Sequence, residues 1–202
     1  MQTKLTQGFW IHLLALALAP IGAVIAADEP NQHDEAALLK ALPNSKMSLA
    51  DGIAQAAKSD GAPISAKFEF DDHGKLSLSV YTAEKGLTVA PAQNVLKELS
   101  GSPEQASWKP EMEVFKDAEH VTRASEHLSL LSGSSYSLVD FINKAQARAP
   151  GNALSITPTV FKGIKVALVQ LAVKGKVVDL LYNLKTGELA GGSPPYGSRE
   201  DD

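Results

Sequence analysis

The residues best suited to chemistry lie on one predicted helix, where His120 and His127 are seven positions apart and Glu126 lies between them. Imidazole and carboxylate groups can bind a metal ion or transfer a proton. Residues at i and i+7 share a helix face but lie about 10 Å apart, because the rise is about 1.5 Å per residue. Two ligands of one ion are usually three or four positions apart. The spacing therefore argues against a metal site, and Glu119 with Arg123 is an ordinary i, i+4 surface pair.

Three other polar clusters have simpler explanations. Asp71 to His73 precede Gly74 in a predicted turn, where Asp and Gly are favoured. His33 to Glu35 could bind a stray cation but begin a short predicted helix. Ser132 to Ser135 lack the strand–turn–helix setting of a nucleophile elbow, and no Walker or dinucleotide glycine motif occurs. We expect no catalytic residue, cofactor or metal ion, although the sequence leaves open a catalytic triad assembled from distant residues.

Charge and cysteine content exclude several classes of function. The chain has 202 residues and a net charge of −4, without a dense cluster of Lys and Arg. A mildly acidic chain of this kind is a poor ligand for nucleic acid. It has no cysteine, so disulfides, thiolate-bound zinc and thiol nucleophiles are excluded. We expect a protein or peptide partner and no nucleic acid.

Residues 1–27 have the composition of a signal peptide. A single cation, Lys4, precedes an apolar core from Phe9 to Ile25, and small residues follow. Cleavage is expected after Ala26 or Ala27, with export to a bacterial periplasm or, alternatively, secretion. An uncleaved anchor fits less well, because a His and a Pro interrupt the apolar run and a span needs roughly 20 apolar residues. We expect no membrane span after cleavage.

Residues 135–190 are predicted to form one helix followed by three strands. Ser137 begins the helix and Asp140 follows three residues later, as in a capping box. The strands are expected at 154–161, 164–173 and 177–184, and a Lys-Gly pair at each joint favours a tight hairpin. The middle strand is apolar at nearly every position. Either a bulge near Leu168 exchanges its faces, or both faces are buried.

Residues 46–86 repeat the same pattern 89 positions earlier. Ser48 and Asp51 match the start of the second helix, and the glycine turn at 73–74 matches the first turn of the later unit. Two strands with alternating apolar and polar residues flank this turn. The pattern is lost after Tyr81, so we expect an incomplete repeat that lacks a third strand.

The segment between the repeats, residues 87–134, is predicted to be mostly helical and to cover one face of a sheet. A helix is expected from Pro91 to Ser100, with proline at its first position. A short extended piece follows Pro110, and a further helix begins after Asp117. The end of that helix, Leu128 to Leu131, is alternatively a strand.

The sequence thus predicts an α+β fold in which two helix-plus-antiparallel-meander repeats pack together with a helical middle segment. Each repeat is of marginal size for an independent fold, so mutual packing around a shared core is expected. Residues 28–45 are expected to form a spacer with a short helix, and residues 191–202 a disordered acidic tail, since they are rich in Gly, Ser and Pro.

The helix start Ser-Leu-x-Asp-x-Ile occurs in both repeats, and a distinctive turn closes the second. That turn contains, in order, Asn183, Thr186, Gly187 and Glu188. These features resemble the PepSY domain family, whose members end their last strand with Asp-x-x-Thr-Gly-Glu. Asn183 stands where that Asp usually lies, and either residue can accept the backbone hydrogen bonds of the turn. The resemblance covers residues 137–189 and, more weakly, 48–81.

The resemblance implies an exported helix-on-sheet module without catalytic residues of its own. Such modules occur in propeptides of thermolysin-like proteases and in periplasmic proteins, where inhibition or peptide binding is the usual proposal. A tandem pair also looks like the architecture of beta-lactamase inhibitory protein, which is an analogy of fold only. The expected function is therefore to bind a protein or peptide, with inhibition or regulation of a periplasmic protease as one form of it.

The absence of a third strand in the first repeat suggests where a partner binds. The strand that contains Leu78, Val80 and Tyr81 would then have a free edge, and an extended peptide could join it as an added strand. The alternative is a small-ligand or metal carrier, or an enzyme, that uses His120, Glu126 and His127 around a pocket between the repeats.

Overall fold

The computed structural model describes residues 32–105 and 107–196, which form an α+β fold with one eight-stranded antiparallel sheet. The helices are α1 (Gln32–Ala41), α2 (Leu49–Ser59), α3 (Ala118–Leu131) and α4 (Leu138–Arg148). The strands are β1 (Ala62–Phe70), β2 (Leu76–Ala83), β3 (Leu96–Gly101), β4 (Glu111–Val114), β5 (Asn152–Phe161), β6 (Ile164–Val173), β7 (Lys176–Asn183) and β8 (Leu189–Gly192). The sheet order is β4-β3-β2-β1-β5-β6-β7-β8. The predicted signal peptide lies outside the described residues.

Serine side chains begin the equivalent helices of the two repeats. Asp140 N donates a hydrogen bond of 3.2 Å to Ser137 Oγ, and Ser137 N donates one of 2.9 Å to the Asp140 carboxylate. In the first repeat, Asp51 N donates to Ser48 Oγ over 3.1 Å. These bonds satisfy amide groups that have no partner within the helix. Both predicted helix starts are confirmed, and α2 and α4 have the same length of 11 residues.

The two repeats are related by a pseudo-two-fold axis within the sheet. Val80 and Val169 match at the offset of 89 residues. Ala66 lies opposite Val80 as Ile156 lies opposite Val169, so the two hairpins make Ala66 and Ile156 equivalent although they are 90 positions apart. These equivalent residues are themselves paired where β1 meets β5, and Lys67 pairs with Ser155 beside them. Direct pairing of equivalent positions is the geometry of an isologous dimer interface. The chain therefore resembles a dimer fused into a single polypeptide.

Helices cover the sheet on both faces. Gly52 of α2 lies against Leu78, with no room between them for a Cβ atom. On the same face, Phe141 of α4 contacts the ring of Tyr182, with the centroids 6.2 Å apart. On the opposite face, α3 crosses β1 and β5, and His127 Nδ1 lies 3.0 Å from Ser65 Oγ. The seam between the repeats is therefore covered on both sides, by α2 and α4 on one face and by α3 on the other.

The strand β6 resolves one of the alternatives left open by the sequence. Its register with β7 is continuous through Leu168, so there is no bulge at this residue. Val169 and Leu171 are buried beneath α4, whereas Val166 is buried and Leu168 half-buried on the opposite face. A register shift occurs instead in β5, between Ala153 and Ser155.

The middle segment is not mostly helical, and the first repeat is not incomplete. Residues predicted as one helix from Pro91 to Ser100 form a single 3-10 turn, Pro91–Gln93, followed by β3. Asn94 ends the turn, and its side-chain amide donates to Gly86 O and Val89 O over 2.9 and 3.2 Å. β3 then pairs with β2 and supplies the strand that we expected to be missing. The tertiary ladder outweighs the local helix signal.

Two other predictions for this segment are confirmed. β4 is the short extended piece expected after Pro110. Asp117 begins α3, because its carboxylate accepts a hydrogen bond of 2.9 Å from His120 N. Residues 128–131 belong to this helix and do not form a strand. The spacer helix α1 is also present, with Leu38 and Leu39 packed against the core.

The predicted disordered tail is ordered through residue 196. β8 contains Gly191, where a Cβ atom would lie 3.1 Å from the ring of Phe161, so a larger residue there would require this ring to shift. Arg148 Nε donates to Tyr196 O over 2.7 Å. The glycines that suggested disorder instead allow close packing on β7. Residues 197–202 lie outside the described part of the chain.

The turn after β7 has the hydrogen bonds expected for its motif. Asn183 Oδ1 accepts from Lys185 N and Thr186 N over 2.9 and 3.1 Å, and Thr186 Oγ1 accepts from Glu188 N over 3.3 Å. Gly187 has φ of 68° and lies beneath the ring of Tyr136, leaving no space for a side chain. Asn183 Oδ1 thus accepts the backbone hydrogen bonds that close this turn.

No described helix is long and apolar enough to cross a membrane.

Candidate functional site

The predicted partner-binding edge at Leu78, Val80 and Tyr81 is wrong. These residues lie on β2, which pairs with β1 on one side and with β3 on the other. Leu78 and Val80 are fully buried under α2, and Tyr81 is half-buried beside the ring of Phe115. A peptide cannot join β2, because both of its hydrogen-bonding edges are occupied.

The free edge of the first repeat is β4, at one end of the sheet formed by the described residues. All four of its residues are exposed. Two of these side chains are large and apolar, Met112 at 55% and Val114 at 39% exposure. The sequence predicts an extended segment here but contains no signal that it would be the outer strand.

The register shows which backbone groups of β4 are free. Phe115 N donates to Leu96 O over 3.0 Å, and Glu113 lies opposite Glu98 two positions away. In an antiparallel pair, residues bonded across the ladder alternate with residues whose N–H and C=O groups point away. Met112 and Val114 are the alternate residues, so their backbone groups face the free edge. The same two residues thus present apolar side chains and peptide groups that no other described strand pairs with.

The side chains of β4 extend two contrasting rows across the sheet. On the α2 face, Met112 continues a row of buried apolar residues: Ala66, Val80 and Leu99. On the opposite face, Glu113 continues a polar row: Ser65, Tyr81 and Glu98. The edge therefore offers an apolar position on one face and an acidic position on the other.

The polar row contains two glutamates that lie directly opposite each other, Glu98 and Glu113. Like charges at such a position repel. Burial raises the pKa of the Glu98 carboxyl, and the negative charges of Glu69 and Glu113 raise it further. A hydrogen bond from Ser79 and the positive charge of Lys67 oppose the change. Neighbouring Tyr81 is hydrogen-bonded to Glu98, and burial raises the pKa of its hydroxyl.

The other end strand, β8, offers a less suitable edge. Three of its four residues are Ala or Gly, and Gly191 is buried. The chain then returns towards β7, where Ser193 N donates to Asp179 O over 2.9 Å. Tyr196 packs against the core next to this strand. β4 is therefore the stronger candidate for binding an extended segment.

The histidines proposed for a metal or catalytic site have separate partners. His120 is exposed, stacks on Phe115 with the centroids 5.2 Å apart, and places Nδ1 2.8 Å from Asp117 Oδ1. His127 is hydrogen-bonded to Ser65 between α3 and the sheet. Burial and the positive charge of Arg123 lower the pKa of His127 to about 4. The structure does not bring the two rings into one site. Within the described residues, no group of three or more His, Asp or Glu side chains could hold a metal ion.

A hollow of about 220 Å³ does lie between the repeats, but it contains none of these groups. Its walls come from the start of α2 and from Phe68, Ile142 and Gln146. The acidic turn at the end of β1 is also structural, because Asp71 Oδ1 accepts from His73 N and Lys75 N over 2.9 and 2.8 Å. The side chains of residues 33 and 34 lie outside the described part.

Comparison with known proteins gives little further information. No protein-family model matches the chain, and no curated protein matches it. One solved structure that is similar is a "putative lipoprotein" from Clostridium difficile 630, with 11% sequence identity and a TM-score of 0.39 over 74% of this chain and 93% of that chain. A similarity at this level supports no conclusion about function. The resemblance to PepSY domains stays a prediction.

Proposed function

We propose that this chain is a non-enzymatic, exported, PepSY-like module that binds an extended segment of another protein as an added strand on β4. The observation that carries the proposal is the combination found at Met112 and Val114, namely exposed apolar side chains and backbone groups that face a free sheet edge. Strand addition uses main-chain hydrogen bonds for affinity and alternate side chains for specificity.

Export to the periplasm is part of the proposal and rests on the apolar segment at residues 1–27. A protease of the same compartment is the partner that the PepSY resemblance favours. An extended loop or propeptide segment of such a protease would have the backbone geometry that β4 requires. Binding there would restrain the protease without a catalytic group on this chain.

Proline substitution provides a specific test of strand addition. Met112→Pro removes an N–H group that points outward, and it leaves the bonds from β4 to β3 in place, because proline is tolerated at such edge positions. Met112→Ala removes the same side chain but keeps the N–H. Thermal denaturation of both variants establishes that the fold is retained.

The three proteins are used as bait in an extract of exported proteins, and bound partners and protease activity are measured. We expect a partner that binds the wild type, binds Met112→Ala more weakly, and is lost with Met112→Pro. Amide exchange in residues 111–114 should slow when the partner is bound. Equal capture by wild type and Met112→Pro, or no partner at all, would contradict the proposal.

A further inference from the structure

The glutamates of the polar row restrict which strand can bind to the free edge of β4. Glu98 and Glu113 lie opposite each other on one face of the sheet. Glu111, two positions before Glu113, lies on the same face. A strand added to β4 would place one side chain directly opposite Glu113, at a Cβ separation of about 5 Å. A cation at that point would be close to Glu113 and would offset the repulsion between the two glutamates.

A second copy of this chain is a poor occupant of the edge. An antiparallel pairing of two β4 strands centred on Met112 places Glu111 of one copy opposite Glu113 of the other. A pairing centred on Glu113 places the two Glu113 side chains opposite each other. Both arrangements oppose like charges, which is a common way for an edge strand to avoid self-association.

The opposite face of β4 sets the alternate requirement. Met112 lies at the exposed end of the apolar row, beside the buried Leu99, and Val114 lies beside Lys97. The charge of Lys97 is already matched, because its Nζ lies 2.8 Å from Asp60 Oδ1 and 2.6 Å from Glu84 Oε2. Side chains added opposite Met112 and Val114 therefore meet apolar neighbours and no unmatched charge.

We infer that the segment bound at β4 alternates apolar residues with Lys or Arg, and that a cation lies opposite Glu113 while apolar side chains lie opposite Met112 and Val114. This inference rests on the proposed function, since it specifies the partner of the same edge. The net charge of −4 for the whole chain also favours approach of a cationic segment.

The test uses three synthetic heptapeptides in which valine alternates with lysine, glutamine or glutamate. Binding to the wild type is measured by fluorescence anisotropy at low and physiological salt. We expect the lysine peptide to bind about tenfold more tightly than the glutamate peptide, with the glutamine peptide between them. Glu113→Gln should weaken lysine-peptide binding about threefold and reduce its salt dependence. Glu188→Gln, the same change at an exposed turn of the second repeat, should have no effect.

The outcomes separate this inference from the proposed function. If all three peptides bind the wild type equally and all are lost with Met112→Pro, strand addition stands and the charge requirement is wrong. If the lysine peptide does not bind at millimolar concentration, or binds Met112→Pro equally well, the inference is overturned. The capture experiment with the natural partner then decides the proposed function on its own.

Discussion

Ala66 and Ile156 occupy equivalent positions in the two repeats and lie directly opposite each other where β1 meets β5. Both are buried on the face covered by α2 and α4, so the pseudo-two-fold axis passes through the core. Each half alone is of marginal size for a stable domain, so we expect the seam to couple the two repeats into one cooperative unit.

The first prediction concerns this coupling. Ile156→Ala should lower the free energy of unfolding by about 2–5 kcal/mol, because a fully buried side chain leaves a cavity. The loss should appear equally in the fluorescence of Trp108, which is buried in the first repeat, and in the far-UV circular dichroism of the whole chain during urea unfolding. Ile156→Val is the matched control, with an expected cost of about 1 kcal/mol. Two separate transitions would show that the repeats unfold independently.

The local features of this fold could be predicted from the sequence because short-range signals determine them. Ser48 and Ser137 begin their helices through hydrogen bonds that span three residues. The two Lys-Gly turns adopt positive φ at both residues, 49° and 77° at 162–163 and 51° and 76° at 174–175. Such turns favour two-residue hairpins whatever the rest of the chain does.

The segment that forms β3 has local signals for the wrong structure. Pro91 at a first helical position and the spacing of Leu96 and Leu99 indicate a helix. The backbone becomes extended after Asn94, because its side chain fixes the preceding loop and β2 offers a complete ladder. Pairing across such a distance in sequence leaves no local pattern, so the third strand could not be identified.

The candidate site was missed for the same reason. The alternation of Glu and apolar residues at 111–114 suggests a short strand, but only the order of strands shows that it is an edge. That order depends on the pairing of β1 with β5, which places both first strands at the centre and leaves β4 outside. The sequence pattern indicates which residues form strands, but it does not indicate the order of the strands in the sheet.

A second prediction follows from His127, which lies between α3 and the sheet. Its Nδ1 lies 3.0 Å from Ser65 Oγ, and burial together with the positive charge of Arg123 lowers its pKa to about 4 from an ordinary 6.5. The unfolded chain therefore binds a proton more readily between these values, so stability falls as the pH drops from 6.5 to 4. The loss from this group should approach about 3 kcal/mol.

Urea unfolding measured across this pH range tests the assignment to His127. His127→Gln should flatten the dependence of unfolding free energy on pH, since glutamine does not titrate and can still hydrogen-bond to Ser65. His120→Gln is the control, because it removes an exposed imidazole from the same helix. An unchanged pH profile in His127→Gln would show that another group causes the acid sensitivity.

The last prediction concerns the opposed glutamates, Glu98 and Glu113. The raised pKa of Glu98 means that the folded protein holds this proton more tightly than the unfolded chain, so ionisation of Glu98 lowers stability as the pH rises through that pKa. Glu98→Gln should therefore raise the unfolding free energy at pH 7, by up to about 1 kcal/mol from the removed repulsion. Glu113→Gln should give part of this gain in the wild type and almost none in the Glu98→Gln background, as a double-mutant cycle by urea denaturation would measure. Fully additive gains would mean that the two carboxylates do not interact. If instead Glu98→Gln destabilised the protein, its hydrogen bonds to Ser79 and Tyr81 would outweigh the repulsion.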